Sequence, residues 1–391
     1  MFYRFYIALL ALVHLLVLPV LAFLRFKSKY RHSLGARFFA RGYKLTFKPM
    51  LWFHACSFGE VKSLEPLLAL FPNTPILLTT TTQTGYTLAR NTYAHSAYIQ
   101  VRYLLFETLL WLWRKDLDQL QSLVVTEAEL WLGVFVLAKQ VGAQTFLINA
   151  RISRRSYPRY HRFRVFYAYL FAQVDHIYAQ STQDLGKLRS LGVRTGAIFP
   201  NLKLFNPPKR THHYPKPPKT LILAASTHPG EEALILEAFL ALQSDAFLGL
   251  VPRHPERFGE VKKMLIQKGL IFDLFSEGLT WHHQVTLIDA LGVLNDFYAI
   301  ADIVILGGAF APIGGHNPLE PAFFGAKLIS GKHIFNQEAL FSCVRNFILV
   351  EPPQLTQTLA QAQKILPSSI EYGNHRLETL AHMICRKPTN S

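Results

Sequence analysis

A carboxylate follows the first apolar segment of the globular part of the chain, where it could take part in proton transfer. Glu60 is the last residue of the segment His54–Glu60, which begins within the apolar segment Leu51–Ala55. A carboxylate held beside a reacting hydroxyl can accept its proton. Ser57 and Glu60 also have the spacing of a helix capping box, so a purely structural role is the competing interpretation.

A second carboxylate stretch, TEAELW, covers residues 126–131 and follows the apolar segment Leu123–Thr126. Thr126 and Glu129 again have capping-box spacing, which predicts that Glu129 stabilises a helix start. Glu127 is then the carboxylate left free to face a ligand. We therefore expect Glu60 and Glu127 to supply the carboxylates of a site.

A glycine-rich stretch, GGAFAPIGGHNPLEP (residues 307–321), follows the apolar segment Ile303–Leu306. Glycine lets the backbone approach a ligand closely. Asn317, Pro318 and Glu320 then have the types and spacing of the N-cap, N1 and N3 positions of a helix. A strand, a glycine-rich turn and a helix N-terminus together predict a phosphate site. Glu320 could alternatively do no more than close a capping box.

A cation follows another apolar segment, because Pro252 and Arg253 come directly after Phe247–Val251. A guanidinium at a strand end is well placed to bind a phosphate or a carboxylate. A surface ion pair with Glu256 is the competing interpretation. The sequence contains no cluster with metal-ligand spacing, and its three cysteines are scattered. Fixed cations and helix dipoles would therefore have to hold a leaving phosphate.

The elements that must position these residues are short strands alternating with helical stretches. This alternation predicts parallel, doubly wound α/β sheets, whose ligands bind beyond the carboxyl ends of the strands. The residues singled out above all lie at such ends. Further predicted strands are 76–79, 144–148, 176–179, 221–225, 271–274, 285–288 and 327–330.

The length of 391 residues suits two domains, and a proline-rich basic segment at 206–220 has no hydrophobic periodicity. We therefore expect two Rossmann-like doubly wound domains facing a cleft. The predicted parts are an anchor helix at 1–24, an N-terminal domain at 25–205, a linker at 206–220 and a C-terminal domain with a C-terminal helix at 221–391.

The segment Phe5–Leu24 contains no charged residue and would be ~30 Å long as a helix, about one hydrocarbon core. A cleaved signal peptide is the competing interpretation, but a convincing small-residue cleavage site is missing. Basic residues follow before the first acidic one, Glu60, and predict contact with an anionic, cytoplasmic membrane surface. Whether the helix spans the membrane or lies in its interface stays open. These basic residues are Arg25, Lys27, Lys29, Arg31, Arg37, Arg41, Lys44 and Lys48.

The formal net charge of +16 also raises the possibility of nucleic-acid binding. The basic residues follow the anchor rather than interleave with aromatic residues on a strand face. We therefore predict that nucleic acid is not a partner.

Eight motifs, in order between about residues 52 and 336, carry a resemblance to a known family. They are HACSFGE, TEAELW, NARISRRSY, NLKLF, ASTHPGEE, VPRHPERF, DALGVLNDFYAIAD and GGAFAPIGGHNPLEPA. With the basic N-terminal anchor, they resemble the bacterial 3-deoxy-D-manno-octulosonic acid (Kdo) transferases of lipopolysaccharide synthesis. The sequence is therefore identified as a member of that family.

The resemblance implies a GT-B fold and an inverting glycosyltransferase that needs no metal or other cofactor. It implies CMP-Kdo as donor, bound by the C-terminal domain. The acceptor would be the glucosamine disaccharide of a lipid A precursor, lipid IVA, bound by the N-terminal domain. The enzyme would work at the cytoplasmic face of the bacterial inner membrane. A UDP-sugar transferase or epimerase of the same fold is the rival that spacing alone does not exclude.

The resemblance also implies roles for individual residues. Glu60 would be the general base, and Glu127 and Lys203 would assist the transition state. Val293 stands where the family usually carries glutamate, so nucleotide contact there would come from the backbone. Ala128, Leu132 and Pro200 are further departures from the family pattern. The CMP-binding residues would be Pro252, Arg253, Leu291, Gly292, Val293, Asn317, Pro318, Leu319 and Glu320.

Overall fold

The computed structural model describes residues 1–24, 26, 31–373 and 375–385. Arg25, Lys27 and Lys29 of the basic segment lie outside these residues. Contacts between residues divide the chain into two units. The first comprises Met1–Asn206 with the end of the chain from Asn374, and the second comprises Pro207–Gly373.

The first unit is built on a seven-stranded parallel sheet in the order β3-β2-β1-β4-β5-β6-β7. Its strands are β1 (Leu51–His54), β2 (Ile76–Thr80), β3 (Ile99–Tyr103), β4 (Ser122–Thr126), β5 (Gln144–Ala150), β6 (His176–Ala179) and β7 (Ala197–Ile198). The order reverses between β1 and β4. Ligands of doubly wound sheets bind at this switch point.

Helices cover both faces of this sheet. They are α1 (Phe2–Leu24), α2 (Arg31–Phe38), α3 (Phe58–Leu68), α4 (Gln83–Thr92), α5 (Leu132–Gln140), α6 (Tyr157–Arg162), α7 (Arg164–Phe171) and α8 (Thr182–Ser190). Successive residues of β1 enter different cores: Trp52 packs in one cluster and Phe53 in the other. Because side chains alternate along a strand, an apolar run without alternation requires an apolar layer on each face.

The second unit repeats this plan with the parallel order β10-β11-β9-β8-β12-β13-β15 and a small antiparallel pair, β14-β16. Its strands are β8 (Leu221–Thr227), β9 (Phe247–Pro252), β10 (Asp273–Leu274), β11 (Val285–Leu287), β12 (Ile303–Leu306), β13 (Lys327–Gly331), β14 (Val344–Arg345), β15 (Phe347–Val350) and β16 (Ser369–Ile370). Its helices are α9 (Glu231–Leu240), α10 (Phe258–Gln267), α11 (Leu294–Tyr298), α12 (Leu319–Phe323), α13 (Glu338–Phe341) and α14 (Leu355–Ala360). The predicted α/β architecture with two doubly wound sheets is confirmed.

The C-terminal helix α15 (Leu377–Cys385) packs on the first unit rather than on the second. Ser122 donates a hydrogen bond to the carbonyl of Ile384 (2.6 Å), and the Tyr178 hydroxyl lies 3.0 Å from the sulfur of Met383. The range 221–391 expected for the C-terminal domain is therefore too long at its end. The segment expected as a linker at 206–220 belongs to the second unit from Pro207 onward.

Helix α1 has 23 residues and contains an 18-residue window with a mean hydropathy of 2.8, and it is the helix of the described residues that is long and apolar enough to cross a membrane. One face packs on the first unit. There the Tyr6 hydroxyl donates to the buried Glu107 (2.6 Å), and the ring of His14 contacts Thr108 (2.7 Å). The other face exposes large apolar side chains, among them Phe5, Leu9, Leu12, Leu16, Val20 and Phe23.

Candidate active site

Glu60 lies at the switch point of the first sheet, in the first turn of α3. Its carboxylate accepts three hydrogen bonds, from the backbone N–H of Cys56 (2.9 Å), the Ser57 hydroxyl (2.8 Å) and the Thr126 hydroxyl (2.9 Å). Ser57 is the N-cap residue and accepts the N–H of Glu60. The capping interpretation is therefore correct for Ser57, but the Glu60 side chain does more than cap, because it also binds the end of β4.

Glu127 follows β4 directly and has a left-handed backbone, with φ of +55°. Such a conformation is uncommon for a residue with a side chain and occurs preferentially at functional sites. Burial raises the pKa of Glu127, and the neighbouring charge of Glu60 raises it further. Arg151 and Lys203 act in the opposite direction. The structure thus brings Glu60, Glu127 and Lys203 into one electrostatic cluster.

A chain of amides holds the loop that carries Lys203. Asn149, which also has a positive φ of +54°, lies with its amide nitrogen 3.5 Å from Glu127 and accepts the N–H of Leu202 (3.3 Å). Gln180 donates to the carbonyl of Asn149 and accepts from Asn201, whose side chain in turn caps the N–H of Lys203. Lys203 is therefore positioned by the same residue that contacts Glu127.

The structure corrects the expected role of Glu129. Helix α5 begins only at Leu132, with Trp131 as its N-cap, so Glu129 caps no helix. Its carboxylate instead accepts the indole N–H of Trp131 (2.8 Å) and lies 3.6 Å from the ring of His54. Burial alone would raise the pKa of Glu129, but contacts with His54, Trp131 and Cys56 outweigh burial and lower it.

One group of the described residues could together hold a metal, namely Cys56, Glu60 and Glu129. One possible ligand atom from each lies within 4.8 Å of the others. Burial raises the pKa of the Cys56 thiol to about 12. A thiol binds a metal as the thiolate, a form that a bound cation would itself stabilise. Metal independence stays a prediction.

In the second unit, Pro252 ends β9 and Arg253 follows it. The Arg253 backbone N–H donates to the carbonyl of Thr227 (3.0 Å), next to the end of β8. Its side chain is exposed, and no ion pair joins it to Glu256 or to another residue that the structure describes. The surface-pair interpretation is thus wrong, and the guanidinium is available for an anion.

Glu231, at the start of α9, organises the glycine-rich stretch, and the sequence-based list of site residues did not include it. Its buried carboxylate accepts the backbone N–H groups of His228, Gly308, Ala309 and Phe310, at 2.8–3.1 Å. A Cβ on Gly307 would lie 2.7 Å from this carboxylate. Gly307 therefore serves an approach by a protein side chain rather than by a ligand.

A pair of histidines lies beside this turn. Nε2 of His228 and Nε2 of His316 are 2.9 Å apart, and a Cβ on Gly308 would lie 2.7 Å from the ring of His316. Burial and the nearby His228 together lower the pKa of His316 to about 4, and burial also lowers the pKa of His228. These shifts favour the neutral form of both rings, which allows one ring to donate a hydrogen bond to the other.

The segment Asn317–Glu320 begins its helix one residue later than expected. Helix α12 starts at Leu319, with Pro318 at the N-cap, and is a little over one turn long. Asn317 accepts the N–H of Leu319 (3.1 Å) and donates to Glu320 (3.1 Å). So short a helix contributes little dipole, and any anion binding here rests on Arg253 and on individual N–H groups.

The phenol of Tyr298, in α11, is buried close to both Arg253 and Glu320. Burial raises its pKa, and the charges of Glu320 and Arg253 act on it in opposite directions. Both charged residues thus lie near Tyr298.

The loop between β11 and α11 consists in part of Leu291, Gly292 and Val293. Leu291 is exposed, and Gly292 has a positive φ of +83°.

Two parallel sheets, each with polar residues collected at its switch point, define an α/β protein of GT-B type. Solved structures agree. A glycosyltransferase from Rickettsia africae has a TM-score of 0.55 over 87% of this chain and 94% of its own, at 13% identity. A UDP-N-acetylglucosamine 2-epimerase has a TM-score of 0.56 over 88% and 99%, at 15% identity. At these identities the likeness concerns the fold alone.

The family follows from sequence comparison. A family model described as 3-deoxy-D-manno-octulosonic-acid transferase matches residues 31–206. A 3-deoxy-D-manno-octulosonic acid transferase of Haemophilus influenzae is 32% identical over 360 residues, covering 86% of this chain and 84% of that protein. The chain therefore belongs to the Kdo transferase family, a family of glycosyltransferases.

A second relative carries an additional activity in its name. The bifunctional glycosyltransferase/methyltransferase of Fusobacterium nucleatum is 29% identical over 310 residues. The match covers 73% of this chain but only 48% of that protein, so the chain spans about half the length of this relative.

Proposed function

We propose that this protein transfers Kdo from CMP-Kdo to the glucosamine disaccharide of a lipid A precursor, lipid IVA, with inversion at the anomeric carbon. Family membership supports Kdo as the transferred sugar. The observation that carries the mechanism is the cluster of Glu60 and Glu127 beside Lys203 and Arg151 at the switch point of the first sheet.

In the proposed reaction Glu60 is the general base. A carboxylate offers roughly four lone-pair sites, and three are used by Cys56, Ser57 and Thr126. One site is left for the acceptor hydroxyl. Glu60 takes its proton while the oxygen forms a bond to the anomeric carbon of Kdo, and the bond from that carbon to the phosphate of CMP breaks.

Glu127 and Lys203 assist the transition state in this proposal. The sugar ring gains positive charge as the phosphate leaves, and the ionised carboxylate of Glu127 stabilises that charge. Lys203 and Arg151 lower the pKa of Glu127 and so favour its ionised form. Both cations therefore support the carboxylate even without touching the donor.

The second unit would bind CMP without a metal or other cofactor. Arg253 supplies a cation that has no carboxylate partner among the described residues, and the Asn317–Glu320 segment supplies hydrogen-bonding groups beside it. Glu320 would accept hydrogen bonds from the ribose. The remaining walls of the CMP site would come from Pro252, Pro318, Leu319 and the loop of Leu291, Gly292 and Val293.

We further propose that the protein works at the cytoplasmic face of the bacterial inner membrane. The exposed apolar face of α1 would contact the lipid, and basic residues after it would contact anionic headgroups. A lipid acceptor would then reach the site from the membrane. Nucleic acid is not expected as a partner.

The test is mass spectrometry of lipid IVA after incubation with CMP-Kdo and the full-length protein. We expect the wild type to add the mass of one or more Kdo residues and Glu60→Gln to add it far more slowly. Transfer from a UDP-sugar instead of CMP-Kdo would contradict the proposal.

A further inference from the structure

A cavity of about 710 Å³ lies in the first unit, at the β3 edge of its sheet and away from the carboxylate cluster. Its walls come from α2, the turn that follows it, α4 and the end of β3. The residues that characterise it are His32, Arg41, Tyr86, Arg90, Arg102 and Tyr103.

The cavity is positively charged. Among the residues that the structure describes, Arg41, Arg90 and Arg102 line it, and no aspartate or glutamate does. None of the three arginines forms an ion pair among residues 31–373 and the other described parts of the chain. Arg102 is held in place by donating to the backbone carbonyls of Lys44 (3.0 Å) and Val101 (2.9 Å). Arg41 and Arg90 are exposed side chains at the rim of the cavity. Three cations without a counter-charge, one of them held by the backbone, favour an anion here.

One wall of the cavity is aromatic. The rings of Tyr86 and Tyr103 stack with centroids 4.0 Å apart and an angle of 12° between their planes. The Tyr103 hydroxyl donates to Gln83 (2.6 Å), which also lines the cavity. A flat aromatic surface with a few polar groups and cations is typical of a site for a phosphorylated sugar rather than for a free ion.

A smaller cavity of about 350 Å³ continues this one, because Arg90 and Arg102 line both. It is also lined by Tyr93, whose hydroxyl has no hydrogen-bond partner among the described residues.

Two elements connect the cavity to the carboxylate cluster. Helix α4 begins after Thr82, whose hydroxyl donates to the carbonyl of Cys56 (2.7 Å) in the Glu60 loop. At 1.5 Å per residue, Arg90 lies about 12 Å further along that helix. Helix α2 carries Arg37 next to Cys56 and Glu129, while its residues His32 and Ala36 line the cavity. α2 is also the first described helix after α1.

We propose that this cavity binds a phosphate group carried by the glycolipid acceptor while another part of that acceptor is glycosylated at Glu60. The inference rests on the proposed acceptor and adds the residues that recognise its phosphate. Arg41 and Arg90 would bind the phosphate, and the stacked tyrosines would contact the sugar that bears it. The arginine side chains project from a rigid helix and a short turn, so the phosphate fixes the register of the disaccharide.

The experiment compares two acceptors in detergent, a glucosamine disaccharide lipid with its phosphates and the same lipid after enzymatic dephosphorylation. The wild type should prefer the phosphorylated acceptor in kcat/KM by about tenfold or more, as expected for charge-assisted hydrogen bonds. The double variant Arg41→Gln/Arg90→Gln should lose most of this preference through a raised acceptor KM, with the KM for CMP-Kdo unchanged. Arg194→Gln, an exposed arginine before β7 at the opposite sheet edge, is the matched control and should keep the preference.

The phosphate bound in this cavity could instead belong to a phospholipid headgroup of the bilayer. Flotation with phosphatidylglycerol vesicles distinguishes a headgroup from the acceptor. If the double variant binds vesicles more weakly than Arg194→Gln does while keeping its preference for the phosphorylated acceptor, the cavity serves the membrane and the proposal is wrong. An equal loss on both acceptors would overturn it as well.

A binding measurement keeps this test independent of the reaction. Calorimetry with a deacylated, phosphorylated glucosamine disaccharide should show binding to the wild type and about tenfold or more weaker binding to the double variant. If the wild type binds this probe but transfers no Kdo to any acceptor, the proposed function fails while the cavity assignment stands. Equal affinity of wild type and double variant for the probe would overturn the assignment itself.

Discussion

The hydroxyl of Thr126 donates a hydrogen bond to the carboxylate of Glu60 across 2.9 Å, joining the ends of β4 and β1. The same hydroxyl lies 3.1 Å from the carbonyl of His54. Thr126 thus holds the Glu60 carboxylate from a neighbouring strand, in addition to the contacts from the start of its own helix. They place the proposed base at the point where the strand order reverses, which is the ligand-binding position of doubly wound sheets.

Glu60→Gln separates proton transfer from helix capping. Glutamine keeps the shape of the side chain and also serves at the third helical position, but it cannot accept the proton. Single-turnover Kdo transfer should therefore slow by ~10²–10⁴-fold, while CMP binding by the second unit persists. Ser57→Ala, which removes the N-cap, is the control for capping and should cost mainly stability. A Glu60→Gln rate within a few-fold of wild type at an unchanged melting temperature would rule out the general base.

The decrease in rate on the acidic side of the pH–rate profile, its acidic limb, should follow the protonation of Glu127. Burial and the charge of Glu60 raise its pKa, so activity that needs the ionised form is lost as pH falls through a value above that of an ordinary glutamate. Lys203 lowers this pKa, so Lys203→Gln should move the limb to higher pH in addition to slowing the reaction. Lys115→Gln, an exposed lysine outside the cluster, should leave the limb in place. An unmoved limb in Lys203→Gln would contradict the coupling.

Arg253 should bind the nucleotide without help from a metal. Its guanidinium has no carboxylate partner among the described residues, so Arg253→Ala should weaken CMP binding by ~1.5–3 kcal/mol. The measurement is calorimetry with CMP in EDTA, with Lys263→Ala on the surface of α10 as control. Loss of CMP binding by the wild type in EDTA would show that the nucleotide site requires a metal. No change in Arg253→Ala would remove this residue from the site.

Glu231 should matter for the order of the glycine-rich turn. Glu231→Gln removes the charge that accepts four backbone N–H groups, and hydrogen bonds to a charged group contribute ~1.5–3 kcal/mol. We expect a lower free energy of unfolding in denaturant titrations and weaker CMP binding. Glu237→Gln, on the exposed side of the same helix, is the matched control. Equal stability of the two variants would show that the turn does not depend on this carboxylate.

The exposed face of α1 should act in membrane binding. Leu9→Gln/Leu16→Gln changes only exposed side chains and keeps the contacts of Tyr6 and His14. Flotation with anionic vesicles should decrease, while turnover on detergent-dispersed acceptor is retained. Leu240→Gln, an exposed leucine of the second unit, controls for the substitution. Undiminished flotation would show that α1 is not the membrane contact.

The sequence determined the strands that are buried on both faces and the polar residues at their ends. A run such as Leu51–His54 is typical of the centre of a covered parallel sheet, and all four of its residues are buried in the structure. It also predicted that Glu60 and Glu127 follow strands and that Arg253 follows another. It did not reveal β3, because Ile99–Tyr103 lies at a sheet edge and lacks the continuous apolar run by which the other strands were predicted.

Only the tertiary structure decided which polar groups meet. Capping-box spacing at Thr126 and Glu129 was misleading, because the Thr126 hydroxyl is taken by Glu60, 66 residues away in sequence. Glu231 reaches Gly308 across 77 residues, and α15 packs on the first unit although it follows the second in sequence. Parallel strands bring their carboxyl ends together irrespective of sequence separation. Local spacing predicts which residues begin a helix or follow a strand. The order of the strands in the sheet determines which distant side chains those residues contact.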